Sequence, residues 1–228
     1  MQITENKKYL ELLIMKNKID EILPFEVLES AELCRYSRDE DILVANSDMP
    51  YFYFFVTGKL KVFQIHENGK AFLIQFYSSF DSLGEIELVN NVKASCSVSA
   101  VLPSELIRIP IEVLRQRAID YPPFLWYVSK SLATKLLYAD RHHSLNLLYP
   151  VKNRLASYLM AHEIKSDEIV LKDSLQDVSE FIGTTYRQLH RAFQQLEKNQ
   201  VLKKTKKSIS VLDLNKLELL AGSIYEEK

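Results

Sequence analysis

The stretch from Phe124 to Tyr149 contains neither proline nor glycine, and it is fenced by Pro122-Pro123 on one side and Pro150 on the other. Proline breaks a helix interior and glycine weakens one, so an uninterrupted run of this length between prolines predicts a single long helix. Leu125, Val128, Leu132, Leu136 and Ala139 recur at steps of three or four, with Lys130, Lys135, Asp140 and Arg141 on the flanks. Roughly 25 residues span about 37 Å at the helical rise, more than one small domain needs for packing. A narrow apolar stripe on so long a helix suits a partner helix, and a coiled-coil dimer is favoured over an intramolecular spine. The chain of 228 residues is long enough for two domains with their own cores, and this helix separates them.

Before the helix the texture is that of short strands. Tyr51-Phe-Tyr-Phe-Phe-Val56, Leu60-Lys-Val-Phe-Gln-Ile65, Ala71-Phe-Leu-Ile-Gln-Phe-Tyr77, Ser95-Cys-Ser-Val-Ser-Ala-Val101 and Leu106-Ile-Arg-Ile109 are apolar or alternating runs. Turn signals separate them at Thr57-Gly58, Glu67-Asn-Gly69 and Pro103-Ser104. Short strands with this punctuation predict a small antiparallel barrel or jelly roll. Asn-Gly supplies the positive φ of a type I′ hairpin turn. A short helix around Leu10–Ile14 precedes the strands, and another around Ile111–Arg117 follows Pro110.

After Pro150 the order is helix, short strand, helix, turn, helix, hairpin, helix. Leu155, Tyr158 and Leu159 share one face of the first helix, and Glu168-Ile-Val-Leu171 is a short strand candidate. Ser174-Leu-Gln-Asp177 has the pattern of a capping box, with side-chain oxygens available to first-turn amides. The helix it opens carries Leu175, Val178, Phe181 and Ile182 and ends at Gly183, where glycine tolerates the left-handed cap. Thr185-Tyr-Arg-Gln188 repeats the capping pattern at once, and Leu189, Ala192, Phe193 and Leu196 form the inward stripe of the next helix. Burying that stripe turns Tyr186, Arg187, His190, Arg191, Gln194 and Lys198 to solvent.

That face is basic although the chain is not. The net charge is −1, yet between Thr184 and Lys207 seven Lys/Arg residues meet Glu197 alone. A neutral total therefore hides a local positive surface. Arginine's planar fork matches guanine O6 and N7, and the first turn of a recognition helix goes deepest into the major groove. Amides near Thr185 are also placed to meet a phosphate. Val201-Leu-Lys-Lys-Thr-Lys-Lys-Ser-Ile-Ser-Val-Leu212 reads as two strands around a lysine-rich tip, a wing that touches backbone phosphate. Two short helices around a glycine are common in helical proteins. The helix pair, the caps, the basic wing and the charged segment together carry the DNA-binding reading.

Other chemistries find little support. Cys34 and Cys96 are too few for a disulfide framework or an iron–sulfur cluster, and Cys96 reads as a buried free thiol. A metal-dependent β-barrel enzyme needs clustered histidine and glutamate ligands, and the β-rich region offers only His66. That lone histidine disfavours haem and reads as a surface strand residue. Adjacent His142 and His143 point to different helix faces and read as helix-surface residues. No phosphate loop or nucleophile motif is present. No apolar run reaches the roughly 18 residues of a membrane span and no signal-peptide core is seen, so the expected compartment is the cytoplasm, with no membrane partner.

Three segments resemble the Crp/Fnr family of bacterial transcription regulators, and the resemblance covers nearly the whole chain. Phe55-Val-Thr-Gly58 followed by Leu60-Lys-Val-Phe63 is similar to the family's strand–glycine–strand signature. Gly84-Glu-Ile-Glu-Leu88 followed by Ala94–Ala100 is similar to the cassette that holds a cyclic nucleotide's phosphate in some members. Phe181-Ile-Gly-Thr-Thr-Tyr-Arg-Gln-Leu-His-Arg191 is similar to the helix-turn-helix. The resemblance implies an α+β chain with three parts: an antiparallel β-roll (jelly roll) with its N-terminal helix over residues 1–110, a short helix and the long dimerisation helix over 111–149, and a winged helix-turn-helix over 150–228. It implies a homodimer that reads an inverted repeat in double-stranded DNA, with RNA polymerase as a further partner.

The site residues follow. Thr185, Tyr186, Arg187, Gln188, His190, Arg191, Lys204, Lys206 and Lys207 are the expected DNA contacts, and Gly84, Glu85, Lys93 and Ser95 line the effector position. The departures are informative. A cyclic phosphate needs a guanidinium, typically an Arg before Ser or Thr, and here Ala94 precedes Ser95 with only Lys93 beside it. A lysine point charge replaces a bidentate fork poorly, so a cyclic nucleotide is disfavoured while Glu85 remains to hold a ribose hydroxyl. The pocket is expected to take another small molecule, or nothing, and no cofactor. Many members carry an acidic residue at the place of Arg187, so the half-site should differ. Arg191 matches the usual arginine, and Tyr186 takes a place often held by Arg. Two rivals stay open: a non-catalytic module whose basic domain contacts RNA or a protein, and a constitutive DNA binder with an architectural β-roll. The wing lacks aromatic stacking platforms, which argues against single-stranded RNA.

Overall fold

The structure, a computed structural model, describes residues 1–65, 71–162, 164–165, 167–171, 173–205 and 208–222, without the side chains of residues 71, 72, 141, 143, 145 and 165. The expected Asn68-Gly69 turn, His66 and the wing-tip Lys206 and Lys207 lie outside the described residues, as does the His143 side chain. The chain forms two compact units, residues 1–137 and 138–228.

The first unit begins with β1 (Gln2–Thr4), α1 (Lys7–Lys16), α2 (Ile19–Ile22) and α3 (Phe25–Leu28). It continues through β2 (Glu32–Tyr36), β3 (Asp41–Leu43), β4 (Tyr51–Ile65), β5 (Ala71–Tyr77), β6 (Asp81–Leu83), α4 (Glu85–Asn90), β7 (Ser97–Pro110) and α5 (Ile111–Arg117), and reaches α6 (Pro122–Leu148). The sheet is antiparallel in the order β1-β2-β7-β4-β5, with β3 also on β7 and β6 also on β4. Successive strand side chains point to opposite faces. Phe52 and Phe54 therefore pack with the helices, beside Ile19, Val27, Leu114, Phe124 and Val128, while Tyr53 and Phe55 line the roll interior with Leu60, Leu83 and Leu106. The apolar run at Tyr51 is continuous because both of its faces are buried.

Two expected turns prove to be bulges. Thr57-Gly58 lies inside one strand of 15 residues and Pro103-Ser104 inside another of 14. The β4–β7 register shifts between Phe55 and Leu60, where the two interruptions face each other. Gly58 has φ +110°, and a Cβ there would lie 2.6 Å from the Pro103 carbonyl oxygen. Lys59 N donates to Ser104 Oγ (3.2 Å), which donates to the Leu102 carbonyl (2.7 Å). The breaker residues bend the paired strands together and do not end them.

The long helix starts with Pro122-Pro123 in its first turn, where a missing N–H costs nothing. Only part of the expected dimer stripe stays free. Val128 is buried and Leu132 packs on the first unit's own core, while Leu125 and Leu136 are exposed. Trp126, Leu136 and Leu137 are each more than two-thirds exposed (72%, 71% and 72%), and with Ser129 and Ala133 they make the outward stripe.

The second unit contains the rest of α6, then α7 (Val151–Met160), β8 (Ile164–Lys165), β9 (Glu168–Ile169), α8 (Leu175–Phe181), α9 (Tyr186–Lys198), β10 (Leu202–Lys204), β11 (Ile209–Val211) and α10 (Leu214–Ala221). Its small antiparallel sheet runs β10-β11-β9-β8. Leu155, Leu159, Ile169, Val178, Leu189, Phe193, Leu202 and Leu217 form its core. His142 departs from the surface reading: it is buried, its ring 4.7 Å from Phe181 and 5.7 Å from Tyr138. The aromatic neighbours that bury it come from another helix and from its own preceding turn.

Candidate nucleic-acid interface and effector corner

The helix-turn-helix is built by its caps. Ser174 Oγ accepts from the Asp177 amide (3.1 Å) and starts α8. Thr185 Oγ1 accepts from the Gln188 amide (3.2 Å), and Gln188 Oε1 accepts in return from the Thr185 amide (3.4 Å). This reciprocal pair is the capping box, and it sets the start of α9. Thr184 Oγ1 adds a bond to Gln188 Oε1 (2.8 Å). Gln188 is thereby a capping residue, exposed but engaged at the helix entrance.

Gly183 makes the turn with φ +62°. The buried Arg154 of α7 holds that turn from below, its Nη1 donating to the carbonyls of Ile182 and Gly183 (the latter at 3.3 Å) and to Asn146 Oδ1 (3.3 Å). A Cβ at residue 183 would come within 3.3 Å of that guanidinium. Arg154 is the residue sequence reasoning missed. Only its placement on the same face as Leu155 and Tyr158 neighbours hints at burial.

With the turn fixed, the α9 stripe of Leu189, Ala192, Phe193 and Leu196 is fully buried, and Tyr186, Arg187, His190, Arg191, Gln194 and Lys198 are all exposed. Among the described residues no ion pair ties down Arg187 or Arg191. The wing follows on β10 and β11, with Leu202, Ile209 and Val211 inward. Lys203 is exposed. Lys204 is half-buried: its backbone amide donates to Glu197 Oε1 (2.9 Å) and its ammonium sits 4.9 Å over the Phe193 ring. Lys204 thus braces α9, and Lys203 is the exposed lysine of that strand.

The four effector-position residues occupy one stretch of the β-roll but meet different partners. Gly84 caps α4 with φ +112°. Lys93 is exposed and faces Asp48 (3.7 Å). Ser95 donates through both its amide (2.8 Å) and its hydroxyl (2.6 Å) to Glu87 Oε1. Glu87 is itself buried, so a carboxylate of the chain already holds the donors a ligand's anion would need. Glu85 is 3% exposed. Its Oε1 accepts from the Ser82 hydroxyl, from Ser131 Oγ (2.7 Å) and from Lys135 Nζ (2.6 Å). Burial opposes its charge, yet the Lys135 ammonium and the hydroxyls outweigh burial and hold its carboxyl below the usual range. Burial raises the neighbouring Asp81 carboxyl in spite of Lys135 at 3.4 Å. Cys96 is half-buried against Ser95 and Gln64, and Cys34 is the fully buried thiol. Among the described residues no cluster suited to a metal ion occurs.

Comparison with known families matches these two units. Residues 33–120 match the cyclic nucleotide-binding domain, and residues 153–220 match the Crp-like helix-turn-helix domain. The chain belongs to the Crp/Fnr family. The regulatory protein YeiL of Escherichia coli O157:H7 is 24% identical over 182 residues, 79% of this chain and 82% of that protein. The cAMP-activated global transcriptional regulator CRP of Pasteurella multocida is 23% identical over 194 residues, covering 81% and 91%. The solved structure of a CRP-family transcriptional regulator from Thermus thermophilus superposes with a TM-score of 0.70 at 17% identity, over 85% of this chain and 98% of that one. The chain is a transcription regulator with a helix-turn-helix DNA-binding domain. No helix among the described residues is long and apolar enough to cross a membrane.

Proposed function

We propose that this regulator works as a homodimer that reads an inverted repeat through α9, and that cyclic AMP is not its effector. The observation that carries the reading is the capped, basic face of α9: its apolar stripe is wholly buried, and Arg187, His190 and Arg191 stand exposed near its start. Arg191 is the base reader, matched to a guanine edge. Arg187 donates where an acidic side chain would accept, so the preferred half-site differs from one read through a carboxylate. The Thr185 end and Lys203 of β10 meet phosphate, with Lys206 and Lys207 assigned the same role from sequence. The outward stripe of Trp126, Ala133, Leu136 and Leu137 supplies the dimer surface. RNA polymerase is the partner a DNA-bound regulator of this kind would meet.

The effector position argues against cyclic AMP on two counts. Ala94 supplies no guanidinium, and Glu87 already occupies the Ser95 donors. Selection of bound DNA from a random pool, with and without cell extract, tests the whole reading. Dyad-symmetric enrichment is expected. Enrichment of a single half-site, or none, overturns it, and a need for extract reveals an effector.

A further inference from the structure

Three side chains of α6 at successive steps of four, Tyr127, Ser131 and Lys135, lie on one ridge of the helix. All three end at one corner of the roll, where β6 hands over to α4. Tyr127 Oη donates to Ser82 Oγ (2.9 Å), and Ser131 Oγ donates to Glu85 Oε1 (2.7 Å). Lys135 Nζ donates to both Glu85 Oε1 and the Ser82 carbonyl oxygen at 2.6 Å. It also lies 3.4 Å from Asp81 and 5.5 Å from the centre of the Tyr77 ring. The ammonium's donors, the hydroxyls and the buried carboxylate answer one another. A ligand hydroxyl approaching Glu85 would first have to displace Lys135, which leaves a buried carboxylate uncompensated during the exchange.

The second part of the same region is closed as well. Glu87, 6% exposed, takes both donors of Ser95. The two polar stations of the corner are therefore filled from within, one by an ammonium from α6 and one by a carboxylate from α4.

We propose that the Tyr127–Ser131–Lys135 ridge is a built-in ligand of the β6–α4 corner, holding α6 on the roll so that its Trp126–Ala133–Leu136–Leu137 stripe faces outward without any small molecule. Lys135 is the positioning residue, because it alone joins the Glu85 carboxylate, the Asp81 carboxylate and a backbone carbonyl. The role of the outward stripe rests on the dimer reading given above. The latch itself does not.

Amide hydrogen exchange on the full chain, with and without cyclic AMP, tests the latch. In the wild type, exchange over residues 125–137 and 81–90 should be slow without nucleotide and unchanged by it. Lys135→Met should speed exchange in both segments by about tenfold or more, because local opening loses a buried ion pair. Lys130→Met, on the exposed side of the same helix, should leave them unchanged. Glu85→Gln keeps the shape and an acceptor for Ser131, and should speed the same segments by a smaller factor if Lys135→Met does not fold. Exchange in Lys135→Met or Glu85→Gln equal to wild type overturns the latch, as does a slowing of wild-type exchange by cyclic AMP. Sedimentation of the same samples separates the two ideas: a monomeric wild type defeats the dimer reading and leaves the exchange test intact.

Discussion

The β6–α4 corner and the outer face of α9 are both polar, and they are finished in opposite ways. At the corner, Glu85, Glu87, Ser82, Ser95, Ser131 and Lys135 satisfy one another inside the chain, and the carboxylates are nearly inaccessible. On α9, Arg187, His190, Arg191 and Gln194 are held by a rigid capped helix but stand in water. Buried charge without a partner is costly, so the corner had to be completed by the protein itself. Exposed charge costs little, so the α9 face can wait for a partner. The same contrast predicts what substitutions do: changes at the corner should act on stability, and changes on α9 on binding.

The largest expected effect is at the corner. Lys135→Met leaves Glu85 buried and unpaired and should cost about 3 kcal/mol, the low end for breaking such a pair, because 22% of the Lys135 side chain keeps contact with solvent. Urea unfolding of the full chain checks it, and Lys135→Met with Glu85→Met should recover most of the loss. An unchanged midpoint would break the comparison at its strongest point. The pH dependence follows from the same pair. Glu85 is buried, but Lys135 and the hydroxyls hold its carboxyl below the ordinary 4.5. A lowered folded pKa gives stability that is present above the unfolded value and lost as pH falls through the folded one. Glu85→Gln should therefore flatten the acid side of the stability profile. Asp81, raised by burial, works in the opposite sense and is present in both proteins.

Next in size is Arg191→Ala, expected to weaken specific DNA binding by about 1–3 kcal/mol and relax discrimination at one position of each half-site, with thermal stability unchanged. Competition binding against base-substituted sites measures it. Thr185→Ala joins the two regions' logics, since it removes the cap that sets where the reading helix starts. It should cost about 1 kcal/mol of second-unit stability, read by thermal unfolding, because the Gln188 amide loses its acceptor.

Much of the recognition half was legible in the sequence because its determinants are local. Ser174, Gly183 and Thr185 declare caps and a turn within a few residues of where they act, and the stripe of Leu189, Ala192, Phe193 and Leu196 is buried as the helical period requires. The corner was not legible, because the pairings that α6 brings to it join residues far apart in the chain: Lys135 lies 50 residues from Glu85. Gly84 and Glu85 advertised the region, but nothing in their neighbourhood showed that α6 would fill it. The strands failed in a different way. Gly58 and Pro103 are true breakers taken singly, and their facing each other across β4 and β7 makes a bend instead of two ends. The stripe of α6 divides for a similar reason: Val128 and Leu132 follow the helical period but are consumed by the roll, whereas Leu125 and Leu136 stay exposed.

The smallest effect separates two neighbouring lysines of the wing. Lys203 is exposed on β10, whereas the Lys204 ammonium lies 4.9 Å over the buried Phe193 ring and its amide is tied to Glu197. A lysine that only meets phosphate contributes through released counterions and reads no base. Lys203→Ala should then weaken binding about equally on every sequence and make the slope of log affinity against log salt shallower by about 1. Lys204→Ala removes a cation–π contact worth roughly 0.5–1 kcal/mol as well as a charge, so it should also lower the unfolding temperature of the second unit. Salt titrations of the two variants on a specific and a random duplex, with thermal unfolding beside them, decide the matter. A stability loss in Lys203→Ala, or none in Lys204→Ala, would show that the wing does not divide its lysines between DNA and fold as their surroundings indicate.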